Sequence, residues 1–325
     1  MKKDSHKKTK DAYGKLKNQL EYLTFANEYT KNIKEVLLKD NLWVTANDVT
    51  YGSHTLLKLS YIKYYLDIAL TIACERFKKC VFIDTLAGSG IVKVKDTEYA
   101  SLGSSLLALI FNTNKNKHFN KIVSIEIDEK RVELLKKRIK RIKDQGFGQD
   151  VETQTIIGDI TKDSILNIVA NEINTDDYGL LFIDPEGLEV DLDKFAKIIQ
   201  RSKYLDIILN ESSGINRILG KANKGDKSSL EILGKYNSAF KKANNPDQAR
   251  EKLFELFGKP LETVAEIRDE NNKVMYKIVL RVRQTKSGTK WINPMSMFAK
   301  NVINKYNGKD VKNILDQIHK KNSQL

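Results

Sequence analysis

The sequence has little cysteine and no long apolar run, and each shortage excludes a class of protein. Two cysteines in 325 residues, Cys74 and Cys80, are too few for a disulfide framework and lack metal-ligand spacing. No apolar run approaches the length of a membrane-spanning helix, and no apolar segment follows the basic N-terminus as a signal peptide requires. We therefore expect a cytoplasmic protein without a membrane segment, whose cysteines pack as small hydrophobic residues.

Acidic residues are also in short supply relative to basic ones. The chain has 56 Lys and Arg against 42 Asp and Glu, a formal net charge of +14. Residues 281–325 hold ten basic residues against two acids, and seven lysines lie among the first seventeen residues. A solvated lysine-rich surface is one explanation. Because the positive charge is concentrated at the two ends, it favours a polyanionic partner, and the simplest such partner is nucleic acid.

The stretch Cys80–Gly90, CVFIDTLAGSG, lacks the features of two common nucleotide-binding loops. No Lys-Ser/Thr follows the last glycine, which excludes a Walker loop, and the third glycine of a dinucleotide-binding fingerprint is missing. What remains is a buried strand ending in Asp84 and a turn containing Gly88, Ser89 and Gly90. An ordinary tight turn is one interpretation. The other is the pattern typical of S-adenosylmethionine (SAM) methyltransferases, whose ligand has an amino-acid end and no pyrophosphate.

Strand and helix patterns alternate from residue 80 to residue 212. Five apolar strands, 80–84, 121–128, 151–159, 178–184 and 204–212, are separated by helices, and a hairpin follows at 262–268 and 273–283. A long helix is expected after Ser53, which stands at its N-cap position. The predicted fold class is α/β, a doubly wound mixed seven-stranded sheet of the Rossmann-like class I methyltransferase type, with N-terminal helices and a helical insert before the closing β-hairpin.

We predict four parts within one elaborated domain, since no internal repeat or low-complexity linker divides the chain. They are an N-terminal helical extension (1–50), a methyltransferase-like core (51–212), a helical insert that is a candidate for substrate recognition (213–260), and the closing hairpin with basic C-terminal helices (261–325).

Acids at strand ends are candidates for cofactor binding. Glu126, at the end of the second strand, can accept hydrogen bonds from both ribose hydroxyls of an adenosine group. Asp128 is either its substitute or, as we expect, the N-cap of the next helix. Asp159 is either a helix cap or an acceptor for the adenine amino group, with Ile160 against the ring.

The stretch FIDPEG brings Asp184, Pro185, Glu186 and Gly187 to the same edge of the sheet. In amino-group methyltransferases, an Asp-Pro loop of this sort accepts hydrogen bonds from the target N–H and so positions its nitrogen. A βα turn with Asp as a cap and Pro in the first turn has the same spacing. No Pro-Cys pair follows a strand, which argues against cytosine C5 chemistry through a covalent thiolate.

CVFIDTLAGSG, GSSLLAL, SIEID, FIDPEG and the upstream SHTLLKLSYIKYYL together resemble the TcmP family, the three-Cys-motif partner proteins. The resemblance implies a class I SAM methyltransferase-like fold and a possible protein partner. It also implies that His54 and Lys58 lie near the mouth of the crevice; as bare sequence, they are surface residues of a helix. The DPEG loop looks like the D-P-F-G loop of transfer-RNA guanine-N2 dimethyltransferases. Glu186 replaces the aromatic residue, however, and cannot stack on a flipped base.

Basic residues beyond the fifth strand are further candidates for substrate binding. Arg217 follows that strand and either holds a phosphate or makes a surface salt bridge. Lys286 and Lys290, next to Trp291, combine charge with an aromatic ring as in sites for single-stranded nucleic acid. Trp291 by itself is better explained as a buried anchor for the last helices.

These observations predict a SAM-dependent methyltransferase that acts on an amino nitrogen of a base in RNA or DNA. Its chemistry requires no metal, because the sulfonium is already activated. The alternative is a non-catalytic nucleic-acid-binding or scaffold protein that retains the fold.

Overall fold

The computed structural model describes the backbone of residues 2–112, 116–238, 257–284 and 290–322, and of residues 240, 245, 248, 251, 252 and 255. For residues 2–10, 261, 321 and 322 only the backbone is described. No helix in these ranges is both long and apolar enough to cross a membrane.

Seven strands form the main sheet, in the order β6-β5-β2-β7-β8-β10-β9. They are β2 (Cys80–Asp84), β5 (Lys121–Glu126), β6 (Glu152–Ile157), β7 (Tyr178–Ile183), β8 (Leu205–Ser212), β9 (Leu261–Arg268) and β10 (Val274–Val282). The first five run parallel, and β10 pairs antiparallel with both β8 and β9. The predicted fold class is confirmed. Strand order reverses between β2 and β7, and ligands of such sheets bind in the crevice at that point.

Alternating side chains of the strands bury both faces of this sheet. In β2, Phe82 belongs to one core, whereas Val81 and Ile83 belong to the other. In β7, Phe182 and Ile183 divide in the same way. Both faces of a parallel sheet are covered by crossover helices, which explains why these strands are apolar throughout.

Helices cover both faces of the main sheet, and three of them precede its first strand in the chain. They are α1 (Lys2–Leu23), α2 (Glu28–Lys39), α3 (Thr55–Ala73), α4 (Ser104–Ile110), α5 (Glu129–Asp144), α6 (Asp163–Asn171), α7 (Leu192–Arg201), α8 (Gly214–Ala222), α9 (Lys227–Tyr236), α10 (Asn293–Asn301) and α11 (Gly308–Asn322). Helices α8 and α9 lie in the predicted insert. Asp128 caps α5 by accepting from the Arg131 amide, which confirms its structural role.

The N-terminal helices are more than an appended extension. Leu16 and Leu20 of α1 and Leu37 of α2 are fully buried, and all three belong to the same core as Phe82. Helix α1 also packs on α3 and α11. The amphipathic pattern of residues 1–40 therefore serves the main core, although the sequence predicts surface helices.

A second, three-stranded sheet differs from the sequence-based prediction. It consists of β1 (Val49–Tyr51), β3 (Ile91–Val94) and β4 (Ala100–Leu102), in the order β1-β3-β4. Residues 101 and 102 thus belong to β4 and lie just before α4. Ser53 is also not an N-cap, because its hydroxyl donates to the Gly308 carbonyl at 2.7 Å.

A buried ion pair connects the loop before β1, the glycine-rich turn and α5. The Arg138 guanidinium donates to both carboxylate oxygens of Asp48, at 2.5 and 2.8 Å. It also donates to the carbonyls of Leu42, Trp43 and Ser89 at 2.7–2.9 Å, so all five N–H groups are used. Burial opposes ionisation of Asp48, but the hydrogen bonds from Arg138 and Ser89 lower its pKa below the ordinary value.

Arg138→Met should destabilise the protein by about 3–5 kcal/mol, because it leaves the Asp48 carboxylate buried and unpaired. The measurement is the free energy of unfolding in urea. Adding Asp48→Leu should recover part of the loss, since no charge is then left unpaired. Lys15→Met, which breaks an exposed pair with Asp11, is the control and should cost less than about 1 kcal/mol. Equal losses for Arg138→Met and Lys15→Met would contradict this prediction.

Candidate functional site

A cavity of about 280 Å³ lies at the carboxyl ends of β2, β5 and β7, where strand order reverses. The sequence predicts a crevice at this edge. Its walls come from the glycine-rich turn after β2, the end of β5, the loop after β7 and the first turn of α3.

The glycine-rich turn places backbone along the cavity. Gly88 and Gly90 have φ of +61° and +87°, which only glycine adopts without strain. A Cβ on Gly90 would lie 2.7 Å from side-chain atoms of Leu106 and Leu135, so Gly90 also permits close packing of α4 and α5. At Gly88 a Cβ would meet no atom within 4 Å. Ser89 lines the cavity, but its hydroxyl bonds to Asp48, which leaves mainly its backbone for a ligand.

Glu126 stands at the end of β5, as predicted, and lines the cavity. Its carboxylate accepts from the Gly88 amide at 3.0 Å and from the Asp128 amide at 2.9 Å. Arg131 approaches the same carboxylate at 4.0 Å. Each carboxylate oxygen has two acceptor positions, so Glu126 retains capacity for two hydroxyl donors of a ligand. The next residue, Ile127, also lines the cavity and is 65% exposed.

Asp84 differs from its predicted role in direct contact with a cofactor. Its side chain is fully buried behind the cavity, and Ser104 and Ser105 donate to Oδ2 at 2.5 and 2.8 Å. Ser104 itself lines the cavity. Burial raises the pKa of Asp84 to about 6, and the nearby charge of Asp184 adds to the rise, although the two serine hydroxyls oppose it. Asp84 can therefore act on a ligand only through the groups that it positions.

Asp184 reaches the cavity from the loop after β7 and is held by two donors. Lys58 Nζ lies 2.6 Å from Oδ2, and Asn210 Nδ2 lies 2.8 Å from Oδ1. Asn210 also donates to the Pro185 carbonyl at 3.3 Å. Burial opposes ionisation of Lys58, but the Asp184 carboxylate raises the lysine pKa well above its ordinary value. Lys58 thus lies at the cavity, as the family resemblance implies, and remains protonated.

The rest of the loop after β7 is held in place by the Glu189 carboxylate. Glu189 accepts from the amides of Glu186 and Gly187 at 2.8 and 2.9 Å. Tyr51 donates to the Glu186 carboxylate at 2.9 Å. Burial and that hydrogen bond raise the pKa of Tyr51, so its hydroxyl keeps its proton. Glu186 and Glu189 both line the cavity.

The charge of the cavity is opposite to that of the whole chain. Four carboxylates line it, against two cations, a formal charge of −2. They are Glu126, Asp184, Glu186 and Glu189, with Lys58 and Arg131. A cavity of this sign favours a cationic ligand and disfavours one that carries phosphates.

Several predicted site residues lie elsewhere. Asp159 is outside the cavity wall and accepts from the Thr161 amide and hydroxyl, which lower its pKa. Lys162 is the N-cap of α6, so Asp159 is not a helix cap either. Ile160 is buried in the core that contains Ile83. Neither Asp159 nor Ile160 lines the cavity, and their predicted contacts with adenine stay a prediction.

The basic candidates for substrate binding are also dispersed. His54 is directed at Tyr276, with ring centroids 5.8 Å apart, and burial lowers its pKa. Arg217 and Lys290 are exposed and do not line the cavity. Lys286 lies outside the described residues. Of this group, only Lys58 joins the site.

Tyr51, Ile127, Arg131 and Glu189 line the cavity but are absent from the sequence-based prediction. Ile127 and Arg131 had a usable signal, because they adjoin Glu126 at a strand end. Glu189 had one as well, as an acid in the turn after Asp184. Tyr51 had none, since it arrives on β1 from the second sheet.

No protein-family model matches the sequence, and no curated protein matches it. Solved structures with a similar course of the chain include a Legionella pneumophila protein of the DUF519 family. It is 12% identical, with 80% of this chain and 94% of that chain covered and a TM-score of 0.48. An O-methyltransferase from Bacillus cereus, in complex with S-adenosylhomocysteine (SAH), is 17% identical over 79% and 91% of the two chains (TM-score 0.38). The METTL16 methyltransferase domain is 16% identical over 70% and 67% (TM-score 0.37). With similarities this distant, the fold assignment depends on the strand order itself.

The wild type should lose stability as pH rises from about 4 to 6, and Asp84→Asn should abolish this loss. The folded protein keeps the Asp84 proton up to about pH 6, whereas the unfolded chain releases it near pH 4. The folded state therefore binds the extra proton in this window, and its stability falls as pH rises. At about 1.4 kcal/mol per pKa unit, the difference amounts to about 3 kcal/mol.

Urea unfolding of both proteins between pH 4 and pH 7 measures this difference. Asp159→Asn is the matched control: the Asp159 pKa is lowered, so its contribution to stability is lost only as pH falls below about 4, and the difference from the wild type should stay nearly constant between pH 4 and pH 7. Parallel pH curves for the wild type and Asp84→Asn would refute the assignment of a raised pKa to Asp84.

Proposed function

We propose that this protein is a SAM-dependent methyltransferase that acts on an amino nitrogen of a nucleic-acid base. The observation that carries the proposal is the cavity of charge −2 at the sheet's switch point, bounded by a glycine turn and a strand-end carboxylate. SAM combines a sulfonium, an ammonium and a carboxylate for a net charge of +1, so the cavity suits it. A dinucleotide or nucleoside triphosphate would bring negative phosphates beside four carboxylates.

Particular residues fit the parts of this cofactor. The Glu126 carboxylate has acceptor positions for the ribose hydroxyls, and the exposed Ile127 side chain offers an apolar surface for the adenine. The backbone of Gly88 admits the cofactor closely because it has no Cβ. Ser104, held by Asp84, adds a hydroxyl to the wall. When bound, SAM supplies an activated methyl group on its sulfonium.

The residues on the acceptor side favour a nitrogen over a hydroxyl as the methyl acceptor. A hydroxyl needs a base to remove its proton, and Lys58 is protonated by its pairing with Asp184. A neutral amino group needs only to be oriented before transfer. The Asp184 carboxylate and the Pro185 carbonyl can accept from such an N–H, because each retains acceptor positions beyond those that Lys58 and Asn210 fill.

One observation favours the alternative, a non-catalytic protein with this fold. The acceptor atoms that would orient the target are already hydrogen-bonded to Lys58 and Asn210. A scaffold protein would use these bonds only for rigidity. The two functions differ in whether the cavity binds SAM and whether a methyl group is transferred.

Calorimetric titration should detect binding of SAM and SAH to the wild type. Glu126→Gln should weaken it about 10- to 100-fold, because hydrogen bonds to a charged acceptor contribute about 1.5–3 kcal/mol. Asp163→Asn, which changes an exposed acid of α6 outside the cavity lining, is the matched control and should bind as the wild type does. No binding by folded wild type, or equal losses in both variants, would refute the cofactor site.

Transfer from methyl-labelled SAM to total RNA and to DNA tests the acceptor class. After digestion to nucleosides, mass spectrometry should find the label on a base and not on the ribose. Asp184→Asn should lower the rate at least about 10-fold while SAH binding persists, because the neutral amide loses its charge-assisted interaction with Lys58. SAH binding without transfer to either nucleic acid would favour the scaffold function.

A further inference from the structure

The second half of α5 and the neighbouring strand β6 enclose a basic groove, separate from the cavity. Its volume is about 370 Å³, and we call it the α5–β6 groove. It is lined by Lys136, Ile139, Lys140, Lys143, Asp144, Thr153 and Thr155. Neither the family resemblance nor the proposed cofactor site gives these residues a role.

Three lysines follow one side of α5 at helical spacing. Lys136, Lys140 and Lys143 are separated by four and three residues, so they stand on one face over about 10 Å. Lys143 Nζ donates to the Val151 carbonyl at 2.7 Å, which fixes the ammonium but leaves its charge uncompensated. Lys136 lies 2.7 Å from Glu133 in an exposed pair, which contributes little and can exchange partners. With Asp144, the lining has a formal charge of +2.

The other wall of the groove offers uncharged donors. In the described part of the sheet, β6 is an edge strand that pairs only with β5. Thr153 and Thr155 are two residues apart, so their hydroxyls face the same side of β6, and both are half-buried. Lysine ammonium groups with threonine hydroxyls are the side chains that bind phosphate oxygens in protein–nucleic acid interfaces.

We propose that the α5–β6 groove binds the phosphodiester backbone of the nucleic-acid substrate, an inference that rests on the proposed function. The lysine row extends over about 10 Å, the axial rise of about three base pairs of a duplex, so it matches a polymer better than a single phosphate. Helices that lie in a membrane interface carry exposed apolar side chains beside their charges. The apolar residue of the lining, Ile139, is buried.

Fluorescence polarisation with labelled RNA and DNA oligonucleotides, single- and double-stranded, tests this site across a range of NaCl concentrations. The triple variant Lys136→Gln, Lys140→Gln, Lys143→Gln should bind at least about 10-fold more weakly at low salt. The plot of log affinity against log salt should become less steep by about 2–3, because each lysine lost removes the release of about one counterion. The four oligonucleotides distinguish RNA from DNA and single strands from duplexes.

A matched control removes the same charge from the other side of the sheet. Lys197, Arg201 and Lys203 are exposed on or just after α7, which packs on the opposite core. Their triple Gln variant should change affinity and slope only slightly. Because Lys143 has a structural bond, Lys140→Glu provides a second variant at an exposed position and should weaken binding as well.

Equal losses in the two triple variants, or no loss in the groove variant, would overturn the proposal, as would binding to anionic vesicles but not to nucleic acid. SAH titration distinguishes failure of the groove proposal from failure of the proposed function. A groove variant that binds SAH normally but nucleic acid weakly supports both proposals. If the wild type binds nucleic acid through the groove but does not bind SAH, the groove proposal stands and the methyltransferase proposal is refuted.

Discussion

The pairing of Arg138 with Asp48 is the interaction on which the candidate site depends. One guanidinium on α5 holds the loop before β1 through Leu42, Trp43 and Asp48, and it holds the glycine-rich turn through the Ser89 carbonyl. Both charges are buried, so neither partner can be lost cheaply. Because β1 brings Tyr51 to the cavity, the same pair fixes a wall that is remote in sequence from the main sheet.

Within the cavity, a lysine and several backbone amides hold the acids in place. Lys58 clamps Asp184, and backbone amides satisfy Glu126 and Glu189. Each carboxylate is thus held in a partly buried position by hydrogen bonds that offset its loss of water. Asp84 accepts from two serine hydroxyls instead, and burial raises its pKa. The environment thus separates the acids that line the cavity from the one with a raised pKa behind it.

The main sheet was predictable because short, continuously apolar runs alternate with helical runs, and parallel strands bring their carboxyl ends together. Glu126 and Asp184 followed from that rule alone. The second sheet was not predictable, since its three- and four-residue strands are too short to show a period. The role of Asp159 does not follow from its position in the sequence, because a strand-end acid can equally close its own turn, and Asp159 accepts from the Thr161 hydroxyl. The sequence indicates which edge of the sheet a residue reaches, but not whether neighbouring groups already fill its hydrogen-bonding positions.

Under the proposed function, a basic protein with an acidic cavity must keep a polyanion at a distance from the cofactor. Phosphates beside Glu186 and Glu189 would meet like charge, whereas a base inserted without its phosphates would not. Along α5, which begins just after Glu126, Lys140 lies roughly 16 Å from the first turn. This separation exceeds the Debye length of about 8 Å at physiological salt, so the two regions act independently on a charged ligand. Under the two proposals, the chain's surplus of lysine and the acids of its cavity are therefore compatible, because the backbone of a nucleic acid would be held apart from the methyl acceptor.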